Sequence, residues 1–208
     1  MLQSNLGGLG DSPLPDATPT LRFRSVGTDT DTGRVVDLEV ANSSTYAVWR
    51  SSKNGLVGSM GRINVRAPQY EDEGILEQVE VDLSLSFVDS QWSTPVVPRR
   101  FHLSFFDFDT AFGGGATECI STRGFDTVHL AARTELTYNP PPEADGFHQF
   151  CGTTQGLETD NPTDLTNLDE QHKARGISFA FSGVSTVSVK LSVRCVLRLP
   201  VPLRVCVS

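Results

Sequence analysis

No apolar run in the 208-residue chain reaches the roughly 18 residues that a membrane-spanning helix needs, so no transmembrane helix is expected. There is no C-x-x-C pair, which argues against zinc-ribbon and thioredoxin-like chemistry. H-E-x-x-H, G-x-S-x-G and the P-loop are absent as well. The histidines, His102, His129, His148 and His172, are scattered, and nothing in their spacing assembles a catalytic group, so no enzyme activity is expected. Tryptophan and tyrosine are scarce, at two and three residues, a poor supply for a lectin. Positive charge is short too: 17 Lys and Arg face 25 Asp and Glu, for a net charge of -8. Such a field repels nucleic acid and anionic lipid, and no nucleic-acid partner is expected. The N-terminus lacks the basic and apolar segments of a signal peptide, so the chain reads as not secreted or as lacking its targeting segment.

What is present is strand and turn. Eighteen Gly and twelve Pro punctuate the chain, and Phe dominates the aromatics. From Val79 to Phe87 apolar and polar residues alternate strictly, as a half-buried antiparallel strand requires. Residues 21–40 read as a hairpin around the polar loop Thr28-Asp29-Thr30-Asp31-Thr32. Further strands are predicted at 46–49, 61–65, 100–108, 118–122, 126–137, 177–182 and 184–193. One helix is predicted near 165–175, with Thr166 and Asp169 at capping-box spacing and Gly176 closing it. About ten short strands and one short helix define an all-β fold, an antiparallel β-sandwich of the jelly-roll type. The domain runs over 20–193. It is preceded by a flexible Gly- and Pro-rich arm, 1–19, and followed by a basic apolar tail or last strand, 194–208.

Chemistry concentrates in Phe101–Glu118, F-H-L-S-F-F-D-F-D-T-A-F-G-G-G-A-T-E. Asp107 and Asp109 stand at i and i+2, which places both on one face of an extended backbone. Three glycines and Glu118 come next. Three carboxylates at a strand end suit a hard cation, so Asp107, Asp109 and Glu118 are candidate Ca²⁺ ligands. The spacing matches positions 1, 3 and 12 of an EF-hand loop. Phe112 where that loop needs Gly, and flanking strands in place of helices, rule the EF-hand out. The competing reading is a solvated turn whose carboxylates cap backbone amides. Asp160-Asn161-Pro162 is a turn that would add an oxygen ligand if it lay beside this loop.

Trp92, in a loop with two prolines, is the best platform for a glycan, and Trp49 reads as core. The four cysteines are either buried thiols or, in an oxidising compartment, pairs. In the second case Cys119–Cys151 and Cys195–Cys206 are favoured, and the protein belongs outside the cell or in an organelle lumen. Without Lys190, Arg194, Arg198 and Arg204, the remaining 13 bases and 25 acids leave about -12 on residues 1–189. The tail carries Leu197, Leu199 and Leu203 and no acid, so it is a candidate interface for a protein partner or a second copy.

The segments L-R-F-R-S-V-G, G-R-V-V-D-L-E-V, N-G-L-V-G-S-M-G-R-I-N-V and F-F-D-F-D-T resemble β-sandwich modules of uncharacterised proteins from unicellular algae, over residues 21–190. The resemblance implies the sandwich fold and a calcium site, and leaves function open. The sequence therefore reads as a non-catalytic structural or protein-interaction domain, Ca²⁺-stabilised, within a larger assembly. The alternatives are a carbohydrate-binding module using Trp92 and an enzyme with a dispersed site.

Overall fold

The computed structural model describes residues 3–9, 18–66, 70–71, 74–75, 78–139, 145–157 and 161–195. In chain order the strands are β1 (Gln3–Ser4), β2 (Thr20–Thr28), β3 (Val35–Asn42), β4 (Gly55–Val57), β5 (Met60–Arg62), β6 (Tyr70–Glu71), β7 (Gly74–Ile75) and β8 (Gln78–Asp89). Then come β9 (Arg100–Phe105), β10 (Ala116–Thr122), β11 (Thr127–Leu130), β12 (Leu136–Asn139), β13 (His148–Gly152), α1 (Glu170–Ala174), β14 (Ile177–Ser182) and β15 (Thr186–Cys195). The chain is all-β and antiparallel, with a single short α-helix among the described residues. An eight-stranded sheet, β1-β2-β3-β8-β15-β10-β13-β12, faces a three-stranded one, β11-β14-β9. β4–β5 and β6–β7 are separate hairpins.

The period-2 pattern builds the core. Val81, Leu83, Leu85 and Phe87 of β8 are buried, and Asp82, Ser84 and Ser86 between them are only half-buried. On the neighbouring strand Val187 pairs with Leu85, and Val189 with Leu83. Ile177, Phe179 and Phe181 of β14 cover this face in the same apolar cluster. Phe179 packs edge-on to Phe150 of β13, their ring centroids 5.8 Å apart. Three strands cannot cover eight. Part of the remaining face is covered by the segment that contains β4 and β5, which adds Tyr46, Val48, Ile63 and Val65 to the core.

Several sequence expectations change. Residues 3–9 do not stand apart as an arm: β1 pairs with β2, and Leu6 is fully buried. The expected strand 126–137 is two, β11 in the small sheet and β12 in the large one, separated by a turn. Residues 46–49 form no strand, and Trp49 is half-buried with Arg50 and Lys53 stacked on its ring rather than in the core. The helix cap is Asp169, not Thr166: its carboxylate accepts from the His172 amide while His172 Nδ1 accepts from the Asp169 amide. Asp164 caps the preceding 3-10 turn, Leu165–Asn167. Arg194 and Cys195 close β15, in register with Thr117 and Ala116 of β10.

Cys119 and Cys151 sit opposite each other in the β10–β13 register and form a disulfide. Cys195 is disulfide-bonded as well. The expected Cys195–Cys206 pairing and the interface residues Leu197, Leu199 and Leu203 lie outside the described residues, as does Asp160.

Candidate functional site

The acidic segment begins where β9 ends. Asp107 takes φ +74, a left-handed backbone that breaks the alternation of an extended strand. Asp107 and Asp109 therefore do not share a strand face. Phe108 between them is buried in the main core. The segment is then stitched on two sides. Thr110 bridges to Thr117 of β10 and to Gln155 in the loop after β13. Its amide donates to the Thr154 carbonyl at 2.8 Å, and its carbonyl accepts from the Gly156 amide at 3.1 Å. Two glycines permit this closeness. A Cβ on Gly152 would lie 2.6 Å from the Phe108 carbonyl oxygen, and one on Gly156 would lie 1.4 Å from Asp109 Oδ2.

Glu118 belongs to the inward parity of β10, two residues before the fully buried Ile120, and is in register with Val193 of β15. Its backbone amide donates to the Asp109 carbonyl at 3.0 Å. Its carboxyl accepts from the Asp109 amide, which favours ionisation. Burial outweighs that bond, and the charges of Asp109 and Asp107 act in the same direction as burial, so the Glu118 pKa is pushed up to about 8. Asp107 and Asp109 both lie near enough to act on the Glu118 carboxyl, though not through the shared strand face that their spacing suggested. Glu118 holds its proton at neutral pH. Asp109 Oδ2 lies 3.9 Å from the guanidinium of Arg175.

Arg175 is the residue that sequence reasoning missed. It directly follows α1 and is buried. Its Nε donates to Glu135 Oε2 at 2.9 Å and its Nη2 to the Gln155 carbonyl at 2.8 Å. Thr154 Oγ1 also donates to Glu135, and the Arg175 carbonyl accepts from the Phe108 amide at 3.3 Å. A buried charge held by several directed bonds fixes geometry. Here it locks Asp109, Glu135 and the loop after β13 around one cation. Among the described residues, no group of three or more His, Cys, Asp or Glu is arranged to hold a metal ion.

Asp107 and Glu118 border a cavity of about 610 Å³ between the sheets. Leu38, Val40, Leu85 and Leu191 of the large sheet, with Leu103 and Phe105 of β9, line its apolar part. Lys53, Met60 and Arg62 come from the β4–β5 side. Asn161 and Pro162 of the expected D-N-P turn line the same cavity as the acidic segment.

The remaining candidates are dispersed. Trp92 is 66% exposed on a turn held by Asp89, whose carboxylate accepts from the Gln91 and Trp92 amides. Beneath it, Arg22 Nε donates to the buried Asp37 at 3.0 Å. Burial alone would raise the Asp37 pKa. Bonds from Ser90, the Ser25 amide and Arg22 overcome this and hold it below the usual carboxylate value. Asp29 caps its own polar loop through Asp31 and Thr32, in keeping with a simple hairpin turn. His102 and His129 lie side by side on the small sheet, 5.6 Å between ring centroids. His148 bonds Tyr138, and His172 caps α1. Phe112, at the glycine loop, is 87% exposed.

No helix among the described residues is long and apolar enough to cross a membrane. No protein-family model matches the chain, and comparison with curated proteins gives no match.

Proposed function

We propose that this chain is a non-catalytic interaction domain that docks a protein partner, within a larger assembly, through apolar side chains carried on pinned turns. The observation behind this reading is Phe112. It is the most exposed of the large apolar side chains among the described residues, yet its loop is tied down. The Ala111 amide donates to the Ala116 carbonyl at 2.9 Å, the Gly114 amide to the Ala111 carbonyl at 2.8 Å, and the Gly113 amide to Gln155 Oε1 at 3.4 Å. Leu157, 62% exposed, follows Gly156 in the adjoining loop. Aromatic side chains held out by ordered backbone lose little entropy on binding and are the usual anchors of protein interfaces. The Cys119–Cys151 bond supports an oxidising compartment, outside the cell or in an organelle lumen.

The test uses the full chain as bait in an extract of its source, beside Phe112→Ser and Leu157→Ser, with light scattering on the same samples for self-association. A partner, or a second copy, held by the wild type and lost by both variants supports the reading. A partner retained by both variants overturns it.

A carbohydrate-binding role is the second reading, favoured by Trp92 on its Asp89-braced turn. A glycan array comparing the wild type with Trp92→Ala separates the two. Glycan binding abolished by that change, with the Phe112 variants unaffected, selects the sugar reading.

A further inference from the structure

We propose that the cavity between β9 and the β4–β5 hairpin is a binding site for a small apolar molecule with a cationic amine, its amine seated against Asp107 and Glu118. This goes beyond the protein-docking reading and uses a different part of the molecule, so either can fail alone. Three features carry it.

The first is size. A cavity of about 610 Å³ lies in the usual range of small-molecule sites. It arises from the topology: β9 is the last strand of the small sheet, and the large sheet continues past it to β3 and β2. The cavity lies where those strands run on beyond β9, and Phe23, Leu38 and Val40 line it.

The second is the chemistry of the walls. Leu38, Val40 and Leu85 on the large sheet and Leu103 and Phe105 on β9 offer no hydrogen bond from their side chains. An apolar body gains by displacing water along that wall, while Asn64, Ser104, Asn161 and Thr163 make other parts of the lining polar.

The third is the sign of the charge at the acidic end. Asp107 and Glu118 both line the cavity, and Asp109 is hydrogen-bonded directly behind Glu118. Among the described residues, the cations that line the cavity, Lys53 and Arg62, belong to the hairpin side. Their heads are committed there: Lys53 Nζ lies 4.4 Å from the centroid of the Trp49 ring, and Arg62 Nε donates to the Lys53 carbonyl. An amine is the head group that complements the acidic end, where a carboxylate would be repelled.

The probes are decylamine, decanol and decanoate, kept below their micellar concentrations, titrated calorimetrically into the full chain. Decylamine is expected to bind with one molecule per chain and about tenfold or more tighter than either control. Asp107→Asn should remove most of that preference while leaving decanol affinity unchanged, whereas Glu118→Gln, which replaces a carboxyl already protonated at neutral pH, should leave most of it in place. Circular dichroism of each variant checks the fold, and the Asp107 variant keeps the test valid if the Glu118 variant unfolds. Equal binding of all three probes, tighter binding of decanoate, no binding of decylamine, or a preference untouched by Asp107→Asn would each overturn the proposal.

Discussion

Glu118→Gln should flatten the alkaline side of the stability profile. Glu118 is an acid whose proton is held more tightly in the folded chain, with a pKa of about 8 against an ordinary 4.5. Below the lower value both folded and unfolded chains carry the proton, and the group contributes nothing to pH dependence. Between the two values the unfolded chain has released the proton and the folded chain has not. Stability must then fall as pH rises, and the loss is complete once pH passes the folded pKa. From pH 5 to pH 8 the linkage amounts to roughly 3 kcal/mol. That is a large part of the roughly 5–15 kcal/mol that holds a domain together. The glutamine side chain has nearly the same shape, keeps an acceptor for the Asp109 amide and cannot ionise. The assay is urea unfolding of both proteins at pH 5, 6.5 and 8, with disulfides intact. The stability difference should move by roughly 3 kcal/mol in favour of glutamine between the extremes. Every other titrating group is common to both chains, so the difference isolates this carboxyl. A difference constant to within about 0.5 kcal/mol would refute the reasoning, because it would mean that the carboxyl titrates as it does in water.

Arg175→Ala removes the buried cation beneath Asp109 and Glu135 and should cost about 3–5 kcal/mol in chemical denaturation; a loss under about 1 kcal/mol would show that water replaces the guanidinium. Cys119→Ser with Cys151→Ser opens a bridge across a separation of 32 residues and should cost about 3–4 kcal/mol, read as a lower urea midpoint. Millimolar Ca²⁺ is expected to leave the melting temperature within about 1 °C of its value in EDTA, because Asp109 is paired with Arg175 and Glu118 is protonated. A rise of several degrees that Asp107→Asn abolishes would restore the three carboxylates as a calcium site.

The fold was legible wherever one face of a strand is buried and the other is not. In β8 the alternation from Val81 to Phe87 is enforced residue by residue, because a slip of one position would turn Val81, Leu83 and Leu85 to solvent. It was illegible where tertiary contacts decide. Leu6 sits among glycines with no period around it, and its burial comes from packing in the main core with Leu21, Val40 and Tyr46. Residues 126–137 look like one strand because the turn between β11 and β12 uses ordinary residues, and the change of sheet leaves no mark on local pattern.

The acidic segment was legible as a run of acids and illegible in its geometry and charge state, for one reason. Spacing along a chain reports which groups are near one another only while the backbone stays regular, and Asp107 ends that regularity with a positive φ. Past Asp107, residues distant in sequence take over: Glu135, Gln155 and Arg175 are brought together by three different elements and set the environment of Asp109. Glu118 is the instructive case. Parity with Ile120 already marks it as inward-facing on β10, and an acid at an inward position must be paired, protonated or functional. Asp107 and Glu118 at the cavity wall and Asp109 close by cannot all ionise cheaply. The fold meets this by leaving a proton on Glu118 and setting Arg175 against Asp109, which makes the carboxyl at the cavity wall sensitive to any cation that enters.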